Sequence, residues 1–314
     1  MAIRPMRAED RAPVLDLLES AFHKRMEFEL YMDFDPLFDP ADFLLDVEDG
    51  RPVSCVQVFE KRIRLGGSEV LLGGIGSVAT APDRRERGLA AELMRRQTDA
   101  MRERGLSLGL LFAGPREFYE KLGWHALPLR QALLQRAPDA RTCAGRRFEP
   151  GDLPRVAAVY DAYSNGIDGT TLRDETYWRG QLRYAGTPDE DFRVLERDGE
   201  IVAYARATHL GSLACALEYA RTPGNAGDLA RLLAGLCPEQ GVLVARLAPD
   251  PELEAALEEA GVESKPLPDP SPMWRVLDRA RLAGLVDLPA DTDDGALLRA
   301  LHEGPLHYWL SDRF

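Results

Sequence analysis

Apolar positions recur along this chain with two different periods, and the switches between them mark out alternating strands and helices. Ile3–Met6 reads as a short strand, and Glu9-Asp10 precede a helix with Val14, Leu15, Leu18 and Phe22 on its apolar face. Asp49-Gly50 has the composition of a tight hairpin turn between Phe43–Val47 and Val53–Phe59. Further strands are predicted over Lys61–Leu65 and Val70–Thr80, joined at Gly66-Gly67. Pro82 ends the second of these because it has no N–H for a ladder. Ala90, Leu93, Met94 and Met101 fall on one face of a helix that stops at Gly105, a suitable C′ residue. Leu106–Phe112 is then nearly continuous apolar sequence, as in a central strand covered on both faces.

After a polar linker at Pro138–Arg146 the pattern starts again. Phe148–Asp152 with Val156, Val159 and Tyr160 echoes Met6–Asp10 with Val14, Leu17 and Leu18. Val194–Val202 repeats the strand–Asp-Gly–strand pattern of Leu45–Val53. Two copies of one fold are expected rather than a solenoid. An acidic helix at Pro251–Ala260 follows, then an extended connector carrying Pro266, Pro268, Pro270 and Pro272. Met273–Leu277 reads as a strand, Asp291–Glu303 as a capped helix and His307–Leu310 as a final apolar strand.

The 314 residues suffice for two domains and a tail. A net charge of −13 argues against a nucleic-acid partner, which needs a basic face, and is compatible with a cationic substrate. Cys55, Cys143, Cys215 and Cys237 form no C-x-x-C pair and the five histidines show no ligand spacing, so no metal is expected. No apolar run reaches 18 residues and the start is not a signal peptide, which makes the cytoplasm the expected location, with no membrane partner.

The candidate chemistry lies in Ile75–Leu93. Strand, Pro82, Asp83, two arginines and Gly88 lead into the Ala90 helix, whose first-turn N–H groups lack internal partners and favour an anion. These are the parts of a phosphate cradle. Two competing motifs fail: Gly74-x-Gly76-x-x-Ala79 lies inside the strand rather than at a strand–helix turn, and Ser77 is out of frame for a nucleophile elbow.

Arg85-x-x-Gly88-x-Ala90 after Val78-Ala79-Thr80 resembles the acetyl-CoA pyrophosphate loop of the GNAT N-acetyltransferases. Phe118-Tyr119-x-x-Leu122-Gly123-Trp124 is similar to a second segment of that superfamily, where a short helix returns to the sheet. The order of elements resembles the enhanced-intracellular-survival family in particular. The resemblance implies tandem GNAT folds, each a mixed central sheet flanked by helices. It divides the chain into a catalytic domain (1–140), a degenerate GNAT-like domain (141–265) and a Pro-rich connector with a short C-terminal segment (266–314), where a sterol-carrier-like domain is truncated. The second copy has no phosphate loop at Glu218–Leu229, and Asp228 puts negative charge there.

The implied activity is direct transfer of acetyl from acetyl-CoA, a co-substrate, to a primary amine of a small molecule or peptide. Val78, Ala79 and Thr80 would pair with the pantetheine arm, and Arg85, Arg87, Gly88, Leu89 and Ala90 would hold the pyrophosphate. Tyr119 would protonate the departing thiolate. The strand before the loop has no carboxylate to act as base. The resemblance implies a C-terminal carboxylate in that role, which makes Phe314 the expected base or ammonium anchor, with Asp33, Asp35 and Asp39, or water alone, as the next candidates. The His23–Phe43 segment either walls the acceptor site or packs its aromatics on the sheet. The rival readings are a non-catalytic acyl-CoA-binding regulatory module and an enzyme using a longer acyl-CoA. The acceptor is left unnamed, and a homo-oligomer remains open.

Overall fold

The computed structural model describes residues 2–184, 190–304 and 306–314. In chain order it begins with β1 (Ala2–Pro5), α1 (Arg11–Phe22), α2 (Arg25–Phe34), β2 (Phe43–Glu48), β3 (Arg51–Leu65) and β4 (Ser68–Thr80). Next come α3 (Leu89–Glu103), β5 (Leu108–Phe112), α4 (Arg116–Glu120), β6 (His125–Ala126), β7 (Gln131–Arg136) and β8 (Arg146–Arg147). The following stretch holds α5 (Leu153–Ser164), α6 (Glu175–Tyr184), β9 (Asp191–Arg197), β10 (Glu200–Leu210) and β11 (Leu213–Arg221). The chain closes with α7 (Ala226–Leu236), β12 (Val242–Arg246), α8 (Pro251–Glu259), β13 (Val262–Pro266), β14 (Pro272–Val276), α9 (Arg279–Leu285) and α10 (Asp294–Glu303).

These strands form two seven-stranded mixed sheets, ordered β1-β2-β3-β4-β5-β14-β6 and β13-β7-β12-β11-β10-β9-β8. The protein is therefore mixed α/β, with helices packed on both sheets. In each sheet antiparallel hairpins lead into one parallel pair, β4 with β5 and β11 with β12. The predicted break between Phe59 and Lys61 does not exist: β3 is one 15-residue strand, buried along most of its length and paired with β2 and then β4.

The two copies exchange strands across the domain limits expected from the sequence. β7, inside the expected 1–140 unit, lies between β12 and β13 of the second sheet. β14, from the expected 266–314 unit, is inserted between β5 and β6 of the first. The physical reason is that β5 is apolar on both faces and needs a ladder on both edges, which β4 and β14 supply. Nor do residues 266–314 stand apart as a truncated third domain: Leu282, Leu297, Leu298 and Leu301 bury themselves against Ile63, Leu72 and Leu110. His307–Leu310 forms no ladder; it is an extended segment running into a single tight turn at Leu310–Asp312.

The repeat is visible at the level of atoms. Arg4 donates twice to Asp10, at 2.6 and 2.9 Å, while the Arg7 N–H donates to the same carboxylate at 2.8 Å. Arg146 donates to Asp152 at 2.6 and 2.8 Å, and the Glu149 N–H again at 2.8 Å. Each pair fastens the first strand of a copy to the start of its first helix. Among the described residues no helix is long and apolar enough to cross a membrane.

Candidate active site

The site begins where β4 and β5 part. They pair in parallel only over Leu72–Ile75 with Leu108–Leu111. Beyond that point Ala113 turns its N–H to the Ser271 carbonyl at 2.9 Å, on the β14 side, and β5 leaves β4. β4 itself carries a bulge opposite Val56, with Ser77 in the left-handed region at φ 52°. The outer half of β4, Gly76–Thr80, thus keeps β3 on one edge and has no strand partner on the other among the described residues.

At the end of β4 the chain passes through a short turn at Pro82–Arg84 and enters α3 at Gly88. Gly88 has φ 79° and no side-chain cap covers the first turn, so the N–H groups of Leu89 and Ala90 face outward. A Cβ built on Gly88 meets nothing within 4 Å, which leaves open space over the helix start. Arg85 and Arg87 are exposed around it. Arg85 makes a single long contact, 3.4 Å to the Thr80 carbonyl. Arg87 lies 3.5 Å from Glu48, which is held mainly by Arg84 at 2.7 Å. Thr80 and Ala79 are fixed from behind by the Ser54 hydroxyl, at 2.9 Å from the Thr80 hydroxyl and 3.0 Å from the Ala79 carbonyl.

On the other side of the split lies a cavity of about 1000 Å³. Val78, Tyr119 and Phe314 all line it, so three expected site residues 236 positions apart at the extreme share one space, while the loop residues sit outside it. The Tyr119 ring meets Phe118 edge-on at 4.9 Å and its side chain is nearly buried. Burial pushes its phenol up to about 12, so the group keeps its proton at neutral pH. α2 walls the opposite side with Phe28 and Tyr31, while Phe28 and Phe38 also pack against the core formed with Phe43, Leu45 and Cys55, so the His23–Phe43 segment both lines the cavity and packs its aromatics on the sheet. Asp33, Asp35 and Asp39 are not in the lining: Asp33 pairs with Arg11, Asp35 accepts from the Leu37 N–H and Asp39 caps Ala41.

Phe314 reaches the cavity on a firmly held segment. Its ring stacks on Phe59 at 5.5 Å and lies over Gly74, where a Cβ would collide with it. Its carboxyl carbon sits over Gly76, 3.4 Å from where a Cβ would be. The two glycines of the discarded dinucleotide pattern thus make a flat floor for the last residue. Upstream, Lys61 of β3 donates to the Asp312 carbonyl and the Tyr177 hydroxyl, both at 2.7 Å. Arg173 bridges Asp312 and Glu218, each at 2.8 Å and wholly buried. Burial alone would push Glu218 up, but Arg173 and Arg206 overcome it and hold the carboxylate down at about 2. Sequence reasoning missed Lys61, Arg173 and Glu218, which no local motif marks.

The second sheet has the same split, and it is filled. β11 leaves β12 after Ala216, and the segment before Phe314 occupies the gap. Trp309 is buried against Tyr219 with ring centres 4.9 Å apart, Arg246 donates to the Tyr308 carbonyl at 2.9 Å, and the Ser311 hydroxyl donates to Glu218. At the start of α7, Asp228 is paired with Arg197 and Arg231.

Residues 2–127 match the family of the acetyltransferase (GNAT) domain. These residues are those of the first copy, as far as the end of β6. An uncharacterized N-acetyltransferase of Streptomyces avermitilis is 29% identical over 220 residues, which are 65% of this chain and 54% of that protein. The chain thus spans about half the length of this curated relative. Among solved structures, a GCN5-related N-acetyltransferase from Anabaena variabilis superposes with a TM-score of 0.70 at 14% identity, covering 90% of this chain and 74% of that one. Eis1 from Mycobacterium abscessus gives 0.61 at 18% identity over 90% and 75%. The N-myristoyltransferase of Saccharomyces cerevisiae, solved with bound myristoyl-CoA, gives 0.57 at 13% over 87% and 82%. At these identities the likeness is one of fold, and it extends over both copies.

Proposed function

We propose that this chain is an N-acetyltransferase that moves the acetyl group of acetyl-CoA directly to a primary amine in its first copy, in the cytoplasm. The observation that carries the reading is the split between β4 and β5, open over Gly88 at one end and leading to Tyr119 and Phe314 at the other. The free edge of Val78–Thr80 suits the amides of a pantetheine arm. Arg85, Gly88 and the bare first turn at Leu89 and Ala90 suit a pyrophosphate, with Arg87 able to leave Glu48 for it.

In this reading the Phe314 carboxylate accepts a proton from the acceptor ammonium, directly or through water. The freed nitrogen attacks the acyl carbon, the carbon–sulfur bond breaks, and Tyr119 gives its proton to the departing thiolate. The nitrogen loses its second proton as the amide forms, Tyr119 takes up a proton through solvent in its place, and Phe314 releases the one it accepted. The second copy has its split filled by Trp309 and its helix start neutralised at Asp228, and in this account it supports the C-terminal segment. Release of free thiol from acetyl-CoA in the presence of a primary amine, with the acetylated amine identified by mass, tests the proposal. Tight acetyl-CoA binding without any such release would leave a regulatory module instead.

A further inference from the structure

We infer that the acceptor is a small primary monoamine with an aromatic or branched apolar body, rather than a polyamine or another polycation. The inference rests on the acetyl-transfer reading above and concerns what its cavity selects.

The chain carries a net charge of −13, yet that charge is not at this cavity. Besides the Phe314 carboxylate, two side-chain carboxylates line it: Glu19 accepts from the Arg25 backbone N–H at 2.7 Å, and Glu27 pairs with Lys24 at 3.0 Å. Lys24, Arg25 and Arg313 line the same space, so its side-chain cations outnumber its side-chain carboxylates, with Arg25 itself paired to Asp16 and Glu29. A second or third ammonium on a substrate would meet those cations, with Glu19 the one lining side-chain carboxylate that has no ion-pair partner among the described residues, and would lose hydration on entry.

The walls are apolar instead. Phe28, Tyr31, Phe59 and Phe112 line the cavity, and Phe59 and Phe112 flank the Phe314 ring at 5.5 and 5.6 Å. At the mouth Phe22, with its ring 5.4 Å from that of Phe28, is 40% and Met26 71% exposed. One ammonium is well served here by the Phe314 carboxylate and the neighbouring ring faces, while the rest of the molecule gains by leaving water. A volume of about 1000 Å³ is that of a small-molecule pocket.

The test measures kcat/KM with acetyl-CoA for phenethylamine, tryptamine and spermidine, in the natural chain and in Phe22→Asp. Phenethylamine or tryptamine should exceed spermidine by about tenfold or more, the discrimination of one apolar group in a pocket. Phe22→Asp, at an exposed mouth position, should shrink that ratio at least threefold with an unchanged melting temperature. A preference for spermidine would overturn the inference and leave acetyl transfer standing. Higher kcat/KM with octanoyl-CoA than with acetyl-CoA would also overturn it, since the cavity would then house the acyl chain. No thiol release with any of the three amines would overturn both this inference and the acetyl-transfer reading.

Discussion

The Lys61 ammonium, on the longest strand of the first sheet, donates to the backbone carbonyl of Asp312 at 2.7 Å, two residues before the end of the chain. Both residues are buried, and the Tyr177 hydroxyl of the second copy completes the ammonium's shell. Burial pushes the Lys61 ammonium down, while Asp312 and Asp35 pull it back up. The contact ties both copies to the one segment that delivers Phe314 to the cavity.

Lys61→Met keeps the length of the side chain and removes the donor. It should destabilise the fold by about 1–3 kcal/mol, the range for a hydrogen bond to a charged group. It should also lower kcat at least about tenfold, because a misplaced catalytic group is costly, while acetyl-CoA affinity stays as it was. Steady-state kinetics beside calorimetry separate the two, and unchanged kcat would remove Lys61 from the positioning of Phe314.

Moving the carboxylate itself should have a similar effect without loss of stability. Extending the chain past Phe314 by a few residues, or amidating it, should cut turnover at least about tenfold, within the range of a proton-transfer group. Acetyl-CoA binding and melting temperature should hardly change. A C-terminally extended protein with full activity would exclude the Phe314 carboxylate as base.

Tyr119→Phe should lower kcat by roughly 10²–10⁴-fold if the phenol is the acid, with little change in acetyl-CoA affinity. Because burial raises the phenol to about 12, the natural enzyme's rate should not fall near pH 10 through its ionisation. Near-normal turnover in the variant would make Tyr119 a packing residue.

What the sequence made legible, and what it hid, divides by separation along the chain. Arg85, Gly88, Ala90 and Tyr119 lie within 35 residues on consecutive elements, and the periodic runs around them place strand, loop and helix in order. The repeat was visible in Met6–Asp10 and Phe148–Asp152, though its fastening pairs Arg4–Asp10 and Arg146–Asp152 were not singled out. The pairing of β14 with β5 joins residues more than 150 positions apart, and an apolar run does not say which strand will flank it. Lys61 reads as an ordinary charged residue on a strand, because its partner is 251 residues away. Gly74 and Gly76 were seen only as a failed motif, since the ring that needs their flatness comes from the chain's last residue.

Those fastening pairs make an acid-stability prediction. Hydrogen bonds from Arg146 lead in holding Asp152 down at about 2, below the ordinary carboxylate range, although burial opposes them. The folded chain therefore binds fewer protons than the unfolded one between about pH 4 and pH 2. The pair's contribution is complete above that window and is lost as the pH falls through it. Asp152→Asn should cost about 2 kcal/mol at pH 7 and flatten this part of the stability profile. Denaturant melts across pH 2–7 would show it, and parallel profiles for the two proteins would contradict it.

The most direct measurement of the central claim is calorimetric titration of acetyl-CoA into the natural chain, Gly88→Glu and Gly224→Glu. The account predicts one site per chain, lost in Gly88→Glu because a carboxylate would stand where the pyrophosphate is held, and retained in Gly224→Glu, whose loop belongs to the filled second copy. Unchanged affinity in Gly88→Glu, or a second site abolished by Gly224→Glu, would contradict it.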